Sequence, residues 1–313
     1  MNLQCTIAGL RWKTPLAISA GPLTRDAKEL KQLMEHSGVG AVVTKTIYQE
    51  DRKTPKPTMV KVKGGLVNYD WSGTSLATWE TYFADLENPP VPVLASISDA
   101  SPQAMAEMGR RLEQAGAKAL EVPIYSTSSL AQMVEIVKAI KQAVTLPLFC
   151  KVGSNLPDTQ EIAKALEEAG ADAFSAINTI GPYLVLDENC QPFLGNSWGN
   201  GYLSGPAIKG LALRTVAELA RAVKVPVLGG GGITSAQDVL EFLAVGASGV
   251  FIHTGIILHG IKLLDQIMED LSQFCLKRGI ASAEELKNRV AAKLCRQPCL
   301  ETIVPSVNDQ LCN

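Results

Sequence analysis

The sequence has little charge, and its positive and negative charges nearly cancel. Only 19% of the 313 residues are charged and 5% are aromatic, and there are 29 Lys and Arg against 31 Asp and Glu. The charged fraction is below the roughly 25% typical of soluble domains, which predicts that much of the chain is buried. A net charge of -2 gives no basic field for a polyanion and argues against a dedicated nucleic-acid-binding protein.

Signals for export, membrane insertion and metal binding are also missing. Residues 1–13 have no apolar segment behind a basic start, and no uncharged apolar run approaches the roughly 18 residues that span a bilayer. The seven cysteines are scattered, and the group formed by Cys295, Cys299 and Cys312 lacks a fourth ligand for zinc. We therefore expect a cytoplasmic protein with reduced thiols, no membrane segment and no metal site.

A unit of an amphipathic helix, a glycine and a short apolar strand recurs along the chain. We expect the glycines, in residues 38–40 and at Gly116, Gly170 and Gly246, to end the helices in the left-handed conformation. The strands are continuous apolar runs, which are typical of a parallel sheet buried on both faces. Prolines begin four of them, at Pro15, Pro92, Pro147 and Pro226.

Eight strands are predicted, near residues 15–21, 41–46, 92–98, 119–124, 147–153, 173–179, 226–232 and 249–255. Eight alternating units predict an α/β fold, a (β/α)8 TIM barrel over residues 1–282, followed by a helix from 283 and an irregular tail to 313. The alternative is an open doubly wound sheet, but AGPLT after the first strand is not a GxGxxG turn. Two long excursions, residues 47–74 and 180–208, follow strands on the C-terminal face, where barrel enzymes build their sites.

Four consecutive glycines, residues 229–232, end the seventh strand and lead into a helix. The loops after the seventh and eighth strands of such a barrel form its usual phosphate site, because bare backbone and a helix N-terminus can approach an anion. The alternative is that the glycines only form a tight turn. A mononucleotide-sized cofactor is the expected occupant.

Lys45 and Lys151 lie at the ends of apolar strands, where an unpaired ammonium is costly to bury. They could stabilise an anionic ring such as a reduced flavin, or could pair with structural carboxylates such as Glu121. Asn178 and Thr179 close the sixth strand and could read a polar heterocycle or cap a turn. Ser126 or its neighbours could supply a catalytic base or only helix N-caps, and the spacing alone favours the caps.

The sequence resembles the flavin-dependent dihydroorotate dehydrogenases and the related flavin domain of dihydropyrimidine dehydrogenase over about residues 5–280. The resemblance rests on motifs in the family's order: LAISAGP, VTKT, GLVNYDWSG, SIS, CKVG, INTIG, YLSGPAIKGLAL, VLGGGGI, SAQDVLEFLAVGAS and HTG. It implies FMN as the cofactor and hydride transfer between a small cyclic substrate and flavin N5, on a CH–CH group.

Carried over by position, the resemblance implies that Ala20, Gly21, Lys45, Thr46, Lys151, Ser204, Gly205, Gly231, Gly232, His253 and Thr254 bind the flavin. Lys151 would sit near N1 and O2 of the ring. His253 replaces the family's usual glycine and would either contact the phosphate or crowd it. Asn68, Asn178 and Thr179 match positions that bind the pyrimidine, and Ser126 and Lys45 are the catalytic candidates.

The sequence departs from the family in the catalytic loop, where the pattern is roughly Asn-Leu-Ser-Cys-Pro-Asn. Ser126 holds the position of the base, but Pro123 and Ser128 replace the flanking asparagines, and the glycine-rich lid is missing. This loses two substrate contacts and the lid.

Two other hypotheses remain at this stage. In the first, the chain is a flavin-binding electron-transfer subunit with a degenerate substrate site. Under either flavin hypothesis we expect a partner carrying iron–sulfur clusters or FAD, and a homodimer or hetero-oligomer. In the second, the chain is a non-flavin aldolase-like barrel in which Lys45 or Lys151 forms a Schiff base.

Overall fold

Eight parallel strands close into a barrel in the computed structural model, which describes residues 3–124 and 129–290. The strands in chain order are β1 (Cys5–Ile7), β2 (Leu10–Trp12), β3 (Leu16–Ile18), β4 (Ala41–Val43), β5 (Met59–Val62), β6 (Gly65–Asn68), β7 (Val93–Ser96), β8 (Ala119–Pro123), β9 (Leu148–Val152), β10 (Ala173–Ala176), β11 (Ile180–Leu184), β12 (Asn200–Ser204), β13 (Val227–Gly230) and β14 (Gly249–Ile252). The barrel runs β3-β4-β7-β8-β9-β10-β13-β14 and closes on β3. The predicted (β/α)8 barrel is confirmed, and four strands begin directly after the expected prolines.

Helices alternate with the barrel strands and cover the outside of the barrel. They are α1 (Ala27–Met34), α2 (Leu76–Asp85), α3 (Pro102–Ala115), α4 (Leu130–Ala143), α5 (Thr159–Glu168), α6 (Lys209–Ala222), α7 (Ala236–Ala244), α8 (Thr254–His259), α9 (Leu263–Arg278) and α10 (Ala283–Val290). Six begin at a side chain that accepts a hydrogen bond from the helix backbone: Asp26, Ser75, Ser101, Ser129, Asp158 and Ser235. The tail with Cys295, Cys299 and Cys312 lies outside the described residues.

Glycines end three helices as expected, but not α1. Gly116, Gly170 and Gly246 have φ values of +110°, +111° and +108°. The expectation for residues 38–40 is wrong, because α1 already ends at Met34 and neither glycine there has a positive φ. Gly40 is needed for a different reason: its N–H donates to the carbonyl of Leu16 at 2.7 Å, and a Cβ would overlap the chain just before β3.

The N-terminal hairpin of β1 and β2 closes the bottom of the barrel. Ile7 and Trp12 are fully buried and join the inward-facing residues of the barrel strands, Phe149 among them, in one apolar cluster. Ile7 also lies against Gly249, the first residue of β14, which places the hairpin at the N-terminal ends of the strands. This hairpin was not predicted from the sequence.

The two excursions meet in a second sheet above the barrel. Strands β5 and β6 come from the first excursion, β11 and β12 from the second, and the four pair antiparallel in the order β5-β6-β12-β11. Asn68 pairs with Tyr202, and Leu66 with Ser204, across the junction of the two excursions. The sequence predicted both excursions but not their pairing.

Candidate active site

A cavity of about 730 Å³ opens at the C-terminal ends of the barrel strands, within the roughly 300–1,000 Å³ range of cofactor and small-molecule sites. Every described residue that the family resemblance assigns to the site lines this cavity: Ala20, Gly21, Lys45, Thr46, Asn68, Lys151, Asn178, Thr179, Ser204, Gly205, Gly231, Gly232, His253 and Thr254. Ser126 and Ser128 lie outside the described residues. The strand-end positions of the barrel therefore converge on one site, as the fold requires.

Three glycines leave bare backbone on one side of the cavity. Gly205, Gly231 and Gly232 have φ values of +95°, +127° and +84°. A Cβ on Gly232 would lie 2.9 Å from both the carbonyl oxygen of Gly205 and Cβ of Lys209. The N–H groups of Gly231 and Gly232 donate to no acceptor in the described part of the chain. Free donors on a backbone without side chains fit the phosphate of a mononucleotide such as FMN.

Hydrogen bonds from side chains fix the position of this glycine backbone. Thr254 donates to the hydroxyl of Ser204 at 2.8 Å, and Ser204 donates to the carbonyl of Leu66 at 3.2 Å. These bonds tie the start of α8 to the sheet formed by the excursions. The loop after β12 and the loop after β14 are therefore held together by side chains, and this contact does not use their backbone N–H groups.

Asp238 holds the turn that follows the glycines. Its carboxylate accepts from the N–H of Thr234 at 2.8 Å, the hydroxyl of Ser235 at 2.9 Å and the ammonium of Lys209 at 2.7 Å. Burial opposes the ionisation of Asp238, but these hydrogen bonds outweigh it and lower its pKa. The carboxylate stays charged and keeps the start of α7 beside the glycines.

Lys45 and Asp70 form an ion pair in the wall of the cavity. The ammonium donates to the Asp70 carboxylate at 3.0 Å and to the Asp70 carbonyl at 2.8 Å, and the two side chains are only 9% and 11% exposed. Burial lowers the pKa of Lys45, and Asp70 offsets part of this effect. Burial also works against the charge on Asp70, but hydrogen bonds from Ser72 and Lys45 outweigh it and lower the pKa of Asp70.

Lys151 has a more deeply placed carboxylate as its partner. Its ammonium lies 4.0 Å from Oε1 of Glu121, which is fully buried, and the other carboxylate oxygen accepts from Ser175 at 3.0 Å. Pairing of both lysines with carboxylates was one of the two sequence-based alternatives. It does not compete with a role at the cavity, because both lysines also line that cavity.

His253 turns both ring nitrogens toward the loop after β3. Nδ1 donates to the carbonyl of Ser19 at 2.8 Å, and Nε2 accepts from the N–H of Leu23 at 3.4 Å. Burial lowers the pKa of His253 to about 4, aided by the positive charges of Lys151 and Lys45 and opposed by the bond to Ser19. A Cβ on Gly21 would lie 2.5 Å from Nε2. The neutral ring thus positions the loop that carries Ala20 and Gly21.

Asn178 shows the turn-capping contact that the sequence left open. Its side-chain oxygen accepts from the N–H of Thr179 at 2.9 Å, while its own N–H donates to the carbonyl of Val152 at 3.1 Å. Because the oxygen is used in the turn, the amide NH₂ group is the part of Asn178 that is available to a ligand. Asn68 faces the same cavity from the end of β6.

The N-cap of α4 is Ser129. Its hydroxyl accepts from the N–H of Gln132, and the side chain of Gln132 accepts from the backbone of Ser129, which forms a capping box. The cap of α4 is therefore supplied by a neighbour of Ser126, and Ser126 itself lies outside the described residues.

Sequence reasoning missed Asp70 and Arg52. Arg52 lines the cavity and places its guanidinium 3.8 Å from the ring centre of Tyr48. Asp70 lies two residues after Asn68 in a motif that was already assigned to the site. A buried lysine that needs a counter-charge was the available signal for it.

No group of three His, Cys, Asp or Glu residues in 3–124 and 129–290 is arranged to hold a metal ion. None of the helices in those ranges combines the length and the apolar character needed to cross a membrane.

Comparison with known proteins identifies the family. The profile of the family "Dihydroorotate dehydrogenase" matches residues 2–275. The chain is 34% identical to the dihydroorotate dehydrogenase B (NAD(+)) catalytic subunit of Pyrococcus abyssi over 296 residues, which covers 91% of this chain and 97% of the relative. It is 33% identical to the protein of the same name from Methanothermobacter thermautotrophicus over 301 residues, with the same two coverages. The chain therefore belongs to the dihydroorotate dehydrogenase family, and it is an oxidoreductase of the kind that acts on CH–CH groups.

Proposed function

We propose that this chain is an FMN-dependent oxidoreductase. In the reaction, a hydride would pass between a carbon of a small cyclic substrate and N5 of FMN. Membership in the family supports FMN as the cofactor. The observation that carries the proposal is the bare glycine backbone of Gly205, Gly231 and Gly232 beside two strand-end lysines in one cavity.

The residues around the glycines would bind the phosphate end of FMN. The N–H groups of Gly231 and Gly232 would donate to phosphate oxygens, and Ser204 and Thr254 keep the two loops together. Ala20, Gly21 and Thr46 would line the ring, with the loop after β3 held by His253.

Lys151 would stabilise negative charge on the reduced ring. Glu121 holds the ammonium at the cavity floor without reaching the cavity itself. A fixed positive charge placed before the reaction needs no reorganisation when negative charge develops, and this is the most effective form of electrostatic stabilisation.

Ser126 would be the proton-transferring group. Pro123 and Ile124, which precede it, line the cavity, and the cap of α4 is supplied by Ser129 instead. A free hydroxyl is a poor base, so Ser126 needs activation by its surroundings. Asn68, Asn178 and Thr179 would bind the substrate ring.

A partner would receive the electrons. The relatives are named catalytic subunits of an NAD(+)-linked enzyme. By analogy, we propose that this chain works with an electron-transfer subunit that carries FAD or an iron–sulfur cluster. Exposed apolar side chains on the second excursion, including Trp198 at 80% exposure and Leu184 at 54%, support such an interface.

The first test is the colour of the purified protein. Absorbance at about 450 nm, together with FMN released on heating, is expected and would exclude a Schiff-base aldolase. Anaerobic mixing with dihydroorotate, dihydrouracil and reduced pyridine nucleotide then identifies the reductant. Ser126→Ala should slow flavin reduction far more than it weakens substrate binding. Unchanged reduction kinetics would remove Ser126 from the proposal, and reduction by a partner protein alone would favour an electron-transfer subunit.

A further inference from the structure

The ion pair of Lys45 and Asp70 sets the charge of the substrate site. We infer that the site takes an uncharged cyclic substrate and discriminates against one that carries a carboxylate. The inference rests on the proposed function, because it concerns the ligand that would lie beside the flavin.

Inside the cavity, the positive charge of Lys45 is already balanced by Asp70. Its ammonium makes two hydrogen bonds to Asp70, one to the carboxylate and one to the carbonyl. Ser72 donates its N–H and its hydroxyl to the other oxygen of the same carboxylate, so Asp70 is held in place independently of any ligand. A substrate carboxylate that approached Lys45 would also approach the negative charge of Asp70, and like charges brought together in a closed site repel each other.

The other cations do not replace Lys45 as a partner for a carboxylate. Lys151 lies 4.0 Å from the fully buried carboxylate of Glu121. Arg52 is an exposed residue whose guanidinium stacks on the ring of Tyr48 at 3.8 Å. Charges in such a position act through solvent and discriminate weakly.

The remaining polar groups suit a neutral ring. Asn68, Asn178 and Thr179 face the cavity with amide and hydroxyl groups. Such groups pair with ring carbonyl and N–H groups without contributing charge. The site therefore combines neutral recognition groups with a lysine whose charge is already balanced.

Uracil and orotate provide the test, because they differ only in the carboxylate. Each is titrated into the FMN-loaded enzyme, and binding is followed by the change in flavin absorbance. Uracil should bind at least about tenfold more tightly than orotate, since like-charge contacts in a closed site are costly. This preference is measured without any substitution.

Two variants locate the cause of the preference. Asp70→Asn keeps an oxygen that accepts hydrogen bonds but removes the charge, and it should shift the ratio of the two affinities at least about tenfold toward orotate. Asp51→Asn is the matched control, because Asp51 lies in the same excursion and bonds to the N–H of Ser75 without lining the cavity. Its ratio should equal that of the unmodified enzyme.

The outcomes separate this inference from the proposed function. Equal or tighter binding of orotate by the unmodified enzyme overturns the inference and leaves the proposed function standing. A ratio that Asp70→Asn does not change also overturns it. If neither pyrimidine changes the flavin spectrum, the inference fails, while the proposed function is judged separately by the bound FMN and its reduction.

Discussion

The ammonium of Lys151 lies 4.0 Å from Oε1 of Glu121, and this carboxylate oxygen has no hydrogen-bond partner among residues 3–124 and 129–290. The Glu121 side chain has no exposed surface, while that of Lys151 is 14% exposed. Neither charge would be stable at this depth without the other. Removal of one member of the pair should therefore cost more stability than removal of both.

We expect Lys151→Met to destabilise the flavin-free protein by on the order of 3 kcal/mol, because it leaves Glu121 buried without a counter-charge. The double variant Lys151→Met/Glu121→Gln should recover most of this loss. Chemical denaturation of the single and double variants measures both values. Additive losses would show that the two charges do not interact, and that Lys151 is held by other contacts.

Gly232→Ala should abolish or greatly weaken retention of the flavin. The new Cβ would lie 2.9 Å from the carbonyl oxygen of Gly205, inside the backbone turn assigned to the phosphate. The measurement is the amount of FMN bound per chain after purification and after addition of excess FMN.

Gly260→Ala is the matched control for this substitution. Gly260 has nearly the same φ, +81° against +84°, but no atom lies within 4 Å of the added Cβ. Both variants carry the strain of a positive φ, on the order of 1–3 kcal/mol. Equal flavin content in the two variants would contradict the assignment of the glycine turn to the phosphate.

His253 should make the folded protein less stable as the pH falls from neutral. Its pKa is lowered from 6.5 to about 4, so the unfolded chain takes up a proton in this interval that the folded protein does not. The loss begins near pH 6.5 and is complete near pH 4, and it amounts to about 3 kcal/mol. The free energy of unfolding of the flavin-free protein, measured at several pH values in this range, tests this prediction.

His253→Asn should flatten that pH dependence, because the amide can still donate to the carbonyl of Ser19 but does not titrate. His259→Asn serves as the control, since His259 is exposed. The prediction fails if the His253 variant loses stability with acidification as steeply as the unmodified protein does.

The strand-end residues of the site could be predicted from the sequence for a simple physical reason. A continuous apolar run marks a buried parallel strand, and the barrel brings the residues that follow each run to one face. Lys45, Lys151 and the glycines that follow β13 could therefore be placed without knowing any contact in the fold.

The features that could not be predicted depend on pairing between distant segments. Asp70 lies 25 residues after Lys45, and it meets the lysine only because the first excursion folds back over the barrel. The strands β1 and β2 have three residues each, too few for a pattern to be recognised. The contact between β6 and β12 joins two excursions whose sequences give no sign of their register.

The shared sheet of the two excursions limits how substrate specificity can change in this protein. Strands β6 and β12 pair with each other through their backbones. A chimera that takes one excursion from a relative would therefore need a strand that pairs in register with the other excursion. Without this pairing, a strand edge would be exposed over the cavity. Asn68 and Ser204 sit at the ends of these two paired strands. The segment proposed to bind substrate and the segment proposed to bind the cofactor would therefore have to be exchanged together.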